Sequence, residues 1–197
     1  MPKLGMEPLR RAALVDATID CIGRAGSLDV TVSQIARAAG VSSALAHHYF
    51  GAKDQIFLAA MRHILSLFGG SVRAGLARAK TPRARLEAIV RASFETGQFR
   101  RPVVSAWLNF YVQAHLSDEA ERLLAVYQRR LRSNLVHALR PLVGARAGEA
   151  ADTLAALIDG FYIRAALGTE PVEAGAAAAR VLGVADLLVG AEGPARC

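Results

Sequence analysis

The chain has 197 residues, 53% hydrophobic and 21% charged, with a formal net charge of +7 when histidines are neutral. That balance excludes a disordered chain, and the length supplies a core that needs no disulfide or metal to close it. Its two cysteines, Cys21 and Cys197, form neither a disulfide framework nor a zinc pattern, which fits a reducing, cytoplasmic compartment.

Apolar residues recur at three- and four-residue spacings without sustained alternation, so the expected fold class is all-α, with about nine helices and no strand. Pro8 opens a first helix whose apolar positions include Leu14, Ala17, Ile19, Cys21 and Ile22, and which stops near Gly26. Short helices follow Thr31 and Ser42. Lys53-Asp54 then opens a long helix through Ile56, Phe57, Ala60, Met61, Ile64, Leu65 and Phe68, continuing past Gly69-Gly70 to about Lys80. The pattern resumes after Thr81-Pro82 and again at Pro102. Its longest uncharged run, 102–117, contains Asn109, Gln113 and His115, too polar and short to span a bilayer; no membrane partner is expected. Ser117-Asp118-Glu119 supplies a cap and two acids, starting a helix expected to end at Pro141. Two more run from about Gly148 to Leu167 and from Pro171 to just past Leu188.

The most specific local signal lies between Thr31 and Phe50. Thr31 and Gln34 are spaced as a capping box, and Gly40 takes the left-handed conformation that ends a helix. Ser42 caps the next helix after a short turn. Helix, glycine turn and helix at this spacing give helix-turn-helix geometry, whose second helix fits a major groove. There, Leu45 and Phe50 are apolar anchors, while Ser43, Ala44 and His47 point outward. The recognition helix after Ser42 holds no Lys or Arg, so weak half-sites must act in pairs.

Thr31–Ala39, Gly40-Val41-Ser42, His48-Tyr49-Phe50 and Lys53-Asp54 together resemble the TetR family of bacterial repressors. Ala106–Phe110, Arg129–Leu131, Ser133–Val136, Ala155–Gly160 and Arg164–Leu167 extend the likeness to its choline-responsive members. Phe161-Tyr162 and Tyr111 depart from the pattern, where Leu-Trp and Trp are expected. The resemblance implies a DNA-binding domain at 1–53 and an effector and dimerisation domain at 54–197. It implies a homodimer on a palindromic double-stranded operator, repressing choline-uptake and choline-to-glycine-betaine genes until choline relieves it. The implied DNA-facing set is Thr31, Ser42, Ser43, Ala44, His47, His48, Tyr49 and Lys53, with Ala44 and His47 at base edges.

Trp107, Phe110 and Tyr111 share one helix face, a stripe that suits either a core or a pocket. Asp159 lies among apolar residues and needs a partner, which is a protein cation or a ligand. The expected effector set is Trp107, Phe110, Tyr111, Asp159 and Tyr162, with Glu95 as a second source of charge. The expected dimer interface is Leu154, Leu157, Ile158, Phe161 and Ala165 of the penultimate helix, with Ala176, Ala179 and Gly183 of the last. His47-His48 lacks a third ligand one turn on, so no metal site is expected. No phosphate loop, nucleophile elbow or zinc-protease motif is present, so neither a cofactor nor an enzyme activity is expected.

Overall fold

A computed structural model describes residues 5–190; Met1–Leu4 and residues 191–197, Cys197 included, lie outside the described residues. The described residues are helical apart from turns and short loops, with no strand among them. The first three helices are α1 (Met6–Ala25), α2 (Val32–Ala38) and α3 (Ser43–Phe50). The Thr31 hydroxyl accepts the Gln34 N–H at 3.1 Å, and Gln34 Oε1 accepts the Thr31 N–H at 2.7 Å, completing the capping box. Gly40 turns the chain at φ 67°, and Ser42 Oγ accepts the Leu45 N–H at 3.2 Å to start α3. Ala36 and Ala46 are fully buried, and their small side chains let the short helices cross closely.

Helix α4 (Lys53–Arg78) passes unbroken through Gly69-Gly70. By length and composition it is the one described helix apolar enough to cross a membrane. Its apolar residues are instead spent on the core: Ile56, Phe57, Leu58, Ala60, Met61, Ile64 and Val72 are buried against neighbouring helices. Beyond it come α5 (Pro82–Ser93), α6 (Arg101–Ala114), α7 (Asp118–Val143), α8 (Ala147–Leu167) and α9 (Ala174–Gly190).

Helix α7 is the hub of this second group, packing on α8, α5 and α6, while α9 closes over α8 and α5. Its inward face carries Tyr127, Leu131, Leu135 and Leu139 at four-residue steps. Leu135 and Leu139 are fully buried, each worth about 1.5–3 kcal/mol relative to exposure. Helix α6 is shared, packing on α1 on one side and on α7 and α8 on the other.

Several boundaries differ from the sequence expectation, among them the start of α9, at Ala174 rather than Pro171. Helix α1 begins two residues before Pro8, which sits in the first turn where no N–H is required. Helix α7 does not end at Pro141 but reaches Val143. The proline removes only one bond near the end, and burial of Val143 holds the chain helical beyond it.

Candidate nucleic-acid interface and effector cage

At the DNA-binding end, Ser42 is exposed at the cap of α3 and Ala44, His47 and His48 on the helix itself, Ser43 and Tyr49 are half-buried, and Thr31 is exposed at the cap of α2. His47 stands one turn after Ser43 and Ala44, and Ala44 and His47 share an outward face. The Ser43 hydroxyl donates to Ser33 Oγ at 3.1 Å, tying the two short helices together. The Lys53 ammonium donates to the Leu28 carbonyl at 3.0 Å, so it braces the loop before α2 from the start of α4.

Sequence reasoning gave no role to Arg11. Its guanidinium lies 5.7 Å from the Tyr49 ring centre and 4.6 Å from that of Phe50, and it donates to the Tyr49 carbonyl at 2.9 Å. It therefore fixes the end of α3 against α1. Residues 38 positions apart leave no local signal of this contact.

At the effector end, Trp107 and Tyr111 of α6 meet Tyr162 of α8 and Tyr127 of α7. The Trp107 ring centre lies 5.8 Å from Tyr111, 4.6 Å from Tyr127 and 6.0 Å from Tyr162. The Tyr111 hydroxyl donates to Asp159 Oδ1 at 2.9 Å, while the Tyr162 hydroxyl donates to the Ser93 carbonyl at 2.6 Å. Asp159 is half-buried, and among the described residues no Lys, Arg or His forms an ion pair with it, Arg164 included. Burial holds its carboxyl above the ordinary range, against the lowering effect of the Tyr111 hydrogen bond. Burial and the charge of Asp159 push the Tyr111, Tyr127 and Tyr162 hydroxyls upward, so all three stay neutral.

Three effector expectations change. Phe110 is fully buried and packs on Phe57 of α4 with ring centres 6.3 Å apart, so it links α6 to α4 and touches the cage only through Trp107. Glu95 is exposed and lines a separate cleft with Arg78 and Arg91 between α4 and α5; it supplies no charge to the rings. Tyr127 was missed, although its place in the Tyr127-Leu131-Leu135 stripe marks it as inward-facing.

On the outer surface of α8 and α9, Leu157, Phe161 and Ala165 are half-buried, and Ala176, Ala179 and Gly183 are exposed. Exposed Ile163, Leu167 and Leu187 accompany them. Leu154 and Ile158, expected in the same interface, are fully buried within the single chain and present nothing to a mate. No group of three or more potential ligands is close enough to hold a metal among the described residues.

Residues 14–60 match the family described as bacterial regulatory proteins, tetR family, and residues 82–189 match the BetI-type transcriptional repressor C-terminal family. The chain is 54% identical over 182 residues to the HTH-type transcriptional regulator BetI of Brucella suis, covering 92% of each. It is 53% identical to the BetI of Agrobacterium fabrum, covering 92% of this chain and 88% of that one. These relatives are named as regulators rather than enzymes. A putative transcriptional regulator of Pseudomonas aeruginosa PAO1 superposes with a TM-score of 0.73 at 26% identity, over 95% of this chain and 93% of that one. A putative regulator of Saccharomonospora viridis, solved in complex with choline, shares the fold at a TM-score of 0.78 and 23% identity, over 91% and 97% of the two chains. With a capped helix-turn-helix at one end and a helical bundle at the other, the chain belongs to the TetR family of DNA-binding transcriptional regulators and carries a BetI-type C-terminal domain.

Proposed function

We propose that this chain is a cytoplasmic, dimeric repressor of genes for choline uptake and conversion to glycine betaine, and that choline relieves the repression. The observation that carries the reading is Asp159, a carboxylate with no basic partner among the described residues, at the edge of a four-ring cluster. A quaternary ammonium has no N–H to donate, so a protein holds it with aromatic faces and negative charge. Each cation–π contact contributes about 0.5–2 kcal/mol, according to how dry it is. Trp107, Tyr111, Tyr127 and Tyr162 supply the faces, and Asp159 supplies the charge. The names of the relatives and the choline-bound structural neighbour support the same ligand.

Residues 1–53 form the DNA-binding domain and residues 54–197 the effector and dimerisation domain. Two copies joined through the outer faces of α8 and α9 set recognition helices on half-sites whose centres are about 34–36 Å apart or a multiple of it. Helix α6 links the two functions. It holds Trp107 and Tyr111 toward the cage, while Phe110 meets α4 and Asn109 Nδ2 donates to the Gly26 carbonyl at 3.4 Å. A ligand that shifts α6 therefore shifts α1 and α4, and with them the spacing of the recognition helices. Such coupling is typically worth 1–3 kcal/mol between bound states.

The test is operator binding titrated with choline, betaine aldehyde and glycine betaine. Choline is expected to release the DNA at lower concentration than glycine betaine, whose carboxylate opposes Asp159. Trp107 is 4% exposed, and its truncation to Ala costs about 3–5 kcal/mol of stability. Trp107→Leu keeps more apolar volume than Ala and removes the ring face, so it should bind operator and ignore choline. A wild-type response in that variant places the effector elsewhere.

A further inference from the structure

His47 Nδ1 lies 2.8 Å from the Gly51 carbonyl oxygen. A carbonyl only accepts, so Nδ1 carries the hydrogen; in the neutral ring, Nε2 is then an acceptor and nothing else. The local fold builds this arrangement. The Gly51 N–H donates to the His47 carbonyl at 2.7 Å, closing α3, and Gly51 itself sits at φ 72°, a conformation that side chains with a Cβ rarely adopt. That turn presents the Gly51 carbonyl to the ring. His47 remains exposed on the outward face, with Ala44 one turn before it.

We propose that His47 reads one base of each operator half-site as a hydrogen-bond acceptor, and so selects a base carrying an exocyclic amine: adenine through N6 or cytosine through N4. The proposal rests on the reading of α3 as the recognition helix. In the major groove guanine offers only O6 and N7 acceptors, and thymine offers O4 and a methyl group. Phosphate oxygens are acceptors too. A neutral imidazole with its hydrogen held on Nδ1 has nothing to donate to any of them, so it discriminates against guanine and thymine and cannot serve as a backbone clamp. Ala44 adds a methyl on the same face, which suits the thymine methyl of an adjoining A·T pair.

The experiment selects binding sites from a random double-stranded library with the full-length protein at pH 8. Every half-site position is then substituted in turn. At one base pair of each half-site the wild type should favour, by about fivefold to tenfold, the orientation that turns the amine-bearing base, adenine or cytosine, toward His47, the range of a single net hydrogen bond. His47→Ala should flatten that position alone, leaving the others and the salt dependence unchanged. His47→Lys, a donor without an acceptor, should turn the preference at that position to guanine. The proposal is overturned if His47→Ala leaves every preference intact, or if replacing the amine-bearing base of the controlled pair by its amine-free analogue, purine for adenine or 2-pyrimidinone for cytosine, leaves wild-type affinity unchanged. Uniform weakening with a shallower salt dependence would put His47 on a phosphate and overturn it equally. Selective binding that survives with no role for His47 defeats this inference and spares the repressor reading; absence of any selective DNA binding defeats both.

Discussion

Gly23 of α1 lies against the ring of Pro102 at the start of α6, so closely that a Cβ at position 23 would overlap the proline ring. The contact joins the DNA-binding end to the helix that carries Trp107 and Tyr111. Arg100 reinforces it by pairing with Asp20 at 3.2 Å. Gly23→Ala must push α1 and α6 apart, an overpacking change costing about 1–3 kcal/mol. The variant should melt earlier, and its residual operator binding should respond to choline less than the wild type does. An unchanged melting temperature and choline response would show that the contact yields without consequence.

Asp159 gives a prediction with a defined sign. Its folded-state pKa is raised by burial, so the charged form is disfavoured in the folded protein. Stability from this group is therefore full below the ordinary carboxylate range and declines as pH rises through the raised value. Asp159→Asn should raise the melting temperature at pH 7, and the difference from wild type should close as pH falls. Choline needs the carboxylate charged, so wild-type affinity for choline should weaken on acidification, whereas the variant should lose the response at every pH. Calorimetric melting and choline titration at matched pH values check both halves.

Lys53 carries two roles that one variant separates. Its ammonium bonds the Leu28 carbonyl at 3.0 Å and stands where the duplex backbone is proposed to run. Lys53→Ala should weaken binding to all sequences alike and reduce the slope of log K against log salt by about one. The Leu28 bond is exposed, so thermal stability should change by no more than about 1 kcal/mol. A change in sequence preference instead would place Lys53 at a base edge.

The dimer proposal rests on the outer face of α8 and α9, where Ala179 and Gly183 are exposed. Ala179→Arg puts a long charged side chain into a close helix contact and should yield folded monomers with weak operator binding. Sedimentation gives the answer directly, since a variant that stays dimeric excludes this surface.

Local features of the fold were legible because their causes are local. The capping box of Thr31 and Gln34, the Ser42 cap and the glycine turn between them each depend on residues within one helical turn. The end of α7 was not legible, because burial of Val143 outweighs a proline two residues earlier. Helix α8 shows a second limit. It is apolar nearly all round, and periodicity groups Leu154 with Ile158 and Leu157 with Phe161 without saying which pair faces inward; the first pair does. The cage was half legible. Trp107 and Tyr111 share a sequence face, but Tyr127 enters from another helix, and Glu95 leaves because its side chain turns toward the cleft between α4 and α5.

The rings around Trp107 already touch one another, most closely at the 4.6 Å approach of Tyr127. On the proposed reading the cage is its own competitor: a trimethylammonium group entering it would wedge these rings apart, forfeiting aromatic contacts worth about 0.5–1.5 kcal/mol per pair. That toll sets a threshold. An ammonium too small to touch several rings at once cannot recover what it separates, and choline itself must accumulate well beyond the level an open cage would need. A sensor of the proposed kind would ignore traces of its ligand and answer only to a surplus.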